Sequence, residues 1–138
     1  MRKINRRSFL TFATALIPSI FLGKAEAGGS PFGTFLAKSS AIKVGQSQVY
    51  GAKDSNGKSL EVVLTRTKTG LYAFDGTCTH QGCLVNLKNK SLICPCHGSV
   101  FNPITGAPVL GPNGSSKDSI KPLTKFKVTE KSGKVYIK

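Results

Sequence analysis

All four cysteines and both histidines of this 138-residue chain lie between positions 78 and 97. They form two short windows, Cys78-Thr79-His80-Gln81-Gly82-Cys83 and Cys94-Pro95-Cys96-His97-Gly98-Ser99. Each window brings a thiol and an imidazole within a few residues of one another. Gly82 in the first, and Pro95 and Gly98 in the second, let the backbone turn tightly around a bound centre. Thiolates suit iron–sulfur clusters and zinc, and imidazole suits iron and zinc, so donor type alone does not choose between them.

Three chemistries compete for these residues. Two disulfides would use the four cysteines and leave His80 and His97 without a role. A Cys₂His₂ zinc site closes four positions and leaves two cysteines spare. An iron–sulfur centre with a separate cysteine pair uses all six.

The pattern C-T-H-x-G-C followed by C-P-C-H-G-S resembles the two boxes of Rieske proteins. The likeness is to the disulfide-containing branch found in cytochrome bc-type complexes and related small exported proteins. As motif it covers residues 78–99, and as architecture about 60–137. The resemblance implies one [2Fe–2S] cluster, with Cys78 and Cys94 on one iron and His80 and His97 on the other. It further implies that Cys83 and Cys96 form a disulfide joining the two loops, and that the Ser99 hydroxyl donates to a bridging sulfide. Two neutral imidazoles in place of two thiolates make one iron less anionic and raise the potential. Proton loss from the outward imidazole nitrogens would couple that potential to pH.

Three departures from the family pattern stand out. High-potential members carry Tyr two residues after the serine, donating to a ligand sulfur; this chain has Phe101, which donates nothing. Quinol-oxidising members carry Leu where Gln81 stands. Gly111-Pro112-Asn113-Gly114 resembles the proline loop that covers the cluster, but the second proline is missing, which implies a looser cover.

The chain begins with a basic stretch, R-K-I-N-R-R-S, followed by an uncharged apolar run over residues 9–22 and then Ala25-Glu26-Ala27. This is the layout of an export signal with a small-residue cleavage site. The run has 14 residues and contains Pro18, short of the ~20 that a permanent span needs. Arg6-Arg7-Ser8-Phe9-Leu10 resembles the twin-arginine signal, a route for proteins already folded around a cofactor. Residues 1–27 are therefore expected to be a twin-arginine signal peptide, and 28–40, rich in Gly and Ser, a flexible N-terminal segment.

Residues 60–67 and 71–74 read as two strands about a Thr69-Gly70 turn, and 126–129 and 135–137 as a second hairpin. The stretch 75–122 holds both cysteine windows and Pro95, Pro103, Pro108, Pro112 and Pro122. No helical period follows residue 28. The expected fold is all-β: a small Rieske-type antiparallel β sandwich over 41–138, with an inserted loop-built cluster-binding subdomain over 75–122.

Residues 28–138 carry 15 basic and 5 acidic side chains, a net +10. Nearly all the basic ones are scattered lysines, whereas nucleic-acid binding brings clustered or aromatic-interleaved arginine. The expected partner is an acidic redox protein, not a nucleic acid. Membrane association is expected only if the leader stays uncleaved. Too few carboxylates are present for acid–base work, and no separate catalytic apparatus is visible. The function expected is one-electron transfer by an exported soluble protein outside the cytoplasm. The alternatives are the Rieske subunit of a membrane quinol–cytochrome or plastocyanin oxidoreductase, or the small Rieske subunit of an arsenite-oxidase-like enzyme.

Overall fold

A computed structural model describes residues 30–138. The expected leader, 1–27, lies outside the described residues. The hairpin expected first in the sequence forms as β3 (Ser59–Arg66) and β4 (Leu71–Asp75), with Thr65 opposite Tyr72. Thr67 closes its turn, its hydroxyl oxygen accepting from the N–H groups of Thr69 and Gly70. β2 (Ser47–Lys53) pairs along the other edge of β3, and β9 (Lys125–Phe126) along β4, giving a sheet of order β2-β3-β4-β9.

β3 does not alternate. Val62, Val63, Leu64 and Thr65 are all buried, as a strand covered on both faces should be. Val62 and Leu64, with Ala73 of β4, pack against Leu36, Ile42, Val135 and Ile137. Val63 and Phe74 pack the opposite way, against Cys78, Val85, Leu92, Cys94, Phe101 and Leu123. The sheet is thus the middle of three layers, and each core is built on one of its faces.

The first outer layer is β1 (Thr34–Lys38), β11 (Lys134–Ile137) and β10 (Val128–Lys131), in the order β1-β11-β10. β1 corrects the expectation of a flexible segment over 28–40. A bulge between Phe35 and Ala37 turns both Leu36 and Ala37 inward, and both are buried. Its partner β11 lies about 100 residues away in sequence, so local composition could not reveal it. The C-terminal hairpin forms around Ser132 and Gly133, both at positive φ, which suits a tight primed turn. The strand expected over 126–129 is divided between two sheets, as β9 and β10. Lys127 breaks it, and its N–H and C=O pair with Lys138.

The second outer layer is β5 (Asn86–Lys88), β6 (Ser91–Ile93), β7 (Val100–Phe101) and β8 (Pro108–Leu110). The stretch expected to be loops therefore carries a four-stranded sheet of its own. Its strands are two or three residues long, too short for a period to register in the sequence. They hold the two cysteine windows at one end of the layer.

Candidate metal centre

The two windows fold alike. In the first, the Cys78 N–H donates to the Cys83 carbonyl at 2.8 Å and the Gly82 N–H to the Cys78 carbonyl at 2.9 Å. In the second, Cys94 N–H donates to Ser99 at 2.8 Å and Gly98 N–H to Cys94 at 2.9 Å. The same two bonds recur at the same spacing, each requiring a left-handed residue one before the end. Gly82 (φ +77°) and Gly98 (φ +72°) supply it. These loops stand where β4 leaves the middle sheet and where β6 ends, with the isolated bridge Thr77–Leu84 closing the first.

Within this frame the six residues separate by burial. Cys78 and Cys94 are each 2% exposed and sit in the same core cluster. Their thiols are free. Cys83 and Cys96 are joined in a disulfide with Cα atoms 6.4 Å apart, tying loop to loop. The Cys94 sulfur lies within 4.8 Å of both disulfide sulfurs; those two are bonded to each other, so the three do not form a metal triad. His80 is exposed and His97 half-buried. Their rings meet edge to face, centroids 4.9 Å apart.

Two polar atoms in this cluster are buried without a hydrogen-bond partner: His97 Nδ1 and Ser99 Oγ. Buried polar groups are normally paired, so such atoms point to an unplaced partner. Burial pushes the Cys78 thiol up from its ordinary pKa, and the neighbouring Cys94 adds to the rise; the His80 backbone N–H pulls it down. Two adjacent buried thiolates are costly unless a cation neutralises them. An iron centre would do so, with Cys78 and Cys94 able to offer thiolates and His80 and His97 imidazole nitrogens. The donor set therefore fits a [2Fe–2S] cluster: two buried sulfurs, two imidazoles reaching toward solvent and a hydroxyl with a free proton.

The sequence profile of the Rieske [2Fe–2S] domain matches residues 34–127. The chain belongs to the Rieske family. Its cofactor is one [2Fe–2S] cluster and its chemistry is Rieske-type electron transfer. The match begins at β1, so the Rieske domain starts before residue 41, where it was expected. Over 79 residues the chain is 30% identical to the cytochrome b6-f complex iron-sulfur subunit of Chlorobaculum thiosulfatiphilum, covering 56% of this chain and 40% of that subunit. It is 47% identical over 45 residues to the corresponding subunit of a Cyanothece species, covering 31% of this chain and 25% of the subunit. The matched part is thus less than half of either relative. Among solved structures it is similar to the plasma membrane Rieske protein of Synechocystis, with a TM-score of 0.52 and 28% identity over 65% of this chain and 85% of that one.

The covering loop of this Rieske domain is latched, contrary to the looser cover expected. The Asn113 N–H donates to the His97 carbonyl at 2.6 Å. Ser115 bonds back to Pro112, Gly111 to Ser115, and the hydroxyls of Ser115 and Ser119 meet at 2.9 Å. Asn113 stands at φ +54°. Proline is locked near −65° and can occupy neither Asn113 nor the following Gly114, at φ +77°, so the turn as folded here excludes a second proline. A second tether escaped the sequence reading: the Thr79 hydroxyl donates to the Lys121 carbonyl at 2.6 Å. A lone threonine between two ligand candidates carries no signal of a carbonyl 42 residues away. Phe101 is fully buried beside Cys78 and Cys94, and Gln81 is exposed at the tip of the first loop.

Proposed function

We propose that this protein moves single electrons outside the cytoplasm, with Cys78 and Cys94 holding one iron of the cluster and His80 and His97 the other. The observation that carries the assignment is the buried, unpartnered Nδ1 of His97, its ring against that of the exposed His80, on loops that also carry the buried free thiols of Cys78 and Cys94. When bound, the group supplies a one-electron change at a potential raised by its imidazole ligands. Cys78 and Cys94 fix the inner side in the core, where water is excluded. His80 and His97 form the solvent edge, the shortest route to a partner. Ser99 offers its proton to sulfur, and Phe101 fills the space beneath without offering one. The Cys83–Cys96 bond keeps the two loops in register. Such a bond persists in an oxidising compartment, which supports export by the leader.

The reduced protein, followed by electron paramagnetic resonance during a potentiometric titration, should give a Rieske signal. His97→Ala should abolish it, while the double variant Cys83→Ala, Cys96→Ala should keep it. A full signal in His97→Ala would overturn the ligand set. Replacing Arg6 and Arg7 by Lys should strand the protein in the cytoplasm; unchanged export would remove the twin-arginine reading. A net charge of +10 beyond the leader favours an acidic redox partner, with exchange that weakens as salt rises.

A second reading is favoured by the Chlorobaculum relative, an iron-sulfur subunit of a cytochrome b6-f complex. In that case the protein is a subunit of a quinol-oxidising assembly. Gln81 and Phe101 weigh against it, as departures from the quinol-oxidising pattern. Purification from native membranes with a cytochrome b partner would decide for the second reading.

A further inference from the structure

The outer face of the β1-β11-β10 sheet points away from the cluster loops, since its inner face covers one side of the middle sheet and the cluster layer covers the other. Cross-strand register sets two rows on that outer face. Phe35, Tyr136 and Thr129 lie opposite one another in one, and Lys38, Lys134 and Lys131 in the next. Phe35 is 50% exposed. Phe32 joins the aromatic row, its ring centroid 5.6 Å from that of Tyr136, and the Lys131 ammonium stands 5.9 Å over Phe32. The one carboxylate of these strands, Glu130, is turned inward to Arg66.

Like charges directly opposite across a sheet destabilise it. Three lysines in one row, with no carboxylate among them, are a cost the fold carries without structural return. Beside them lie rings that combine an apolar body with, in Tyr136, a polar tip. Lysine and aromatic side chains in this combination suit the headgroup layer of a bilayer, where the rings insert and the ammonium groups meet lipid phosphates. The described residues begin at Ser30, whose hydroxyl oxygen accepts from the Phe32 N–H. Ser30 follows the uncharged run 9–22 by eight residues, a reach of at most about 29 Å.

We infer that this face docks on an anionic membrane surface, leaving the histidine edge turned away from the lipid toward partners. The docking needs no uncleaved leader, and it goes beyond the electron-transfer reading, which could stand without it.

The chain has no tryptophan, so one introduced residue reports one place. Cluster-loaded Phe35→Trp protein, as isolated, is mixed with vesicles of phosphatidylglycerol and phosphatidylcholine in equal parts. Its emission should shift to the blue, be quenched by brominated lipid, and revert at about 1 M salt, where screening is short-ranged. Val109→Trp, on the exposed edge of the cluster layer, should show neither effect. Adding Lys38→Gln, Lys131→Gln and Lys134→Gln to Phe35→Trp should lower partitioning roughly 100-fold, each lysine acting near the surface. The same triple should raise the denaturant midpoint, because it removes like-charge repulsion. Adding Lys88→Gln, Lys90→Gln and Lys117→Gln instead should leave the shift in place. An unshifted Phe35→Trp, equal quenching at position 109, or a shift that survives the first triple would overturn the inference. So would a salt-sensitive complex through this face with an acidic protein but not with vesicles.

Discussion

Removing the Cys83–Cys96 bond by Cys83→Ala with Cys96→Ala should leave the cluster ligands in place and weaken their hold. The two cysteines are separated by 13 positions. Chain-entropy arithmetic for a loop of that size gives about 3 kcal/mol of stabilisation lost from the unfolded-state side. Native-state losses are small by comparison: Cys96 is exposed and Cys83 only half-buried, so truncation leaves no deep cavity. A change of about 3 kcal/mol raises the opened population roughly 150-fold. Cluster loss reports on opening, so the assay is bleaching of the visible absorption of loaded protein in a fixed, moderate guanidinium concentration. Far-UV circular dichroism follows the sheets in parallel. Bleaching should accelerate by about two orders of magnitude, with the spectrum before bleaching unchanged. If the double variant bleached within about threefold of the parent, the bond would not be the staple that loop entropy makes it. The β5–β6 hairpin and the ligands themselves would then hold the loops together.

Other expectations are more local. Phe101→Tyr should raise the midpoint potential by some tens of mV, about what ~1 kcal/mol of added hydrogen bonding to a ligand sulfur delivers. A protein-film or potentiometric titration reads it, and an unchanged or lower value would count against the role given to position 101. The Arg66 guanidinium, with the Ser39 hydroxyl nearby, holds Glu130 below the ordinary carboxylate pKa of 4.5. A depressed folded pKa contributes stability that is present above pH 4.5 and is lost as pH falls through the lower folded value. Glu130→Gln should therefore flatten the acid limb of a stability–pH profile. At neutral pH it should cost less than ~1 kcal/mol, because the pair is partly exposed. Gly106 and Gly133 both stand at φ +71°, but a Cβ on Gly106 would lie 2.5 Å from buried Phe74, whereas one on Gly133 meets open space. Chemical denaturation should therefore find Gly106→Ala worse than Gly133→Ala by ~1–3 kcal/mol, the overpacking cost alone; equal losses would mean that the ring yields freely.

The site was largely legible before any fold was known, because ligand chemistry is local. Six residues at family spacing carry Cys78, His80, Cys94 and His97 as the expected ligand set and Cys83 with Cys96 as the expected pair; the fold joins Cys83 to Cys96, sets the His80 ring against that of His97 and buries Cys78 and Cys94 in one cluster. The hairpins around 60–74 and at the C-terminus were legible for a similar reason, being strands whose partners are neighbours in sequence.

What the sequence alone determined is therefore the chemistry: the candidate donors, the glycines that let each loop close, and an all-β chain with a basic balance. Tertiary structure alone decided which side of each layer a residue faces. β1 exists because β11, far along the chain, offers it an edge. Asn113 became a latch, and Thr79 a tether, through bonds to His97 and Lys121 that no local pattern encodes. The lysine and aromatic rows become surfaces only through pairing of β1, β11 and β10. Local propensity reaches a few residues, whereas strand register is set by long-range pairing and by which face is buried. Position relative to the cluster belongs to that second kind of information.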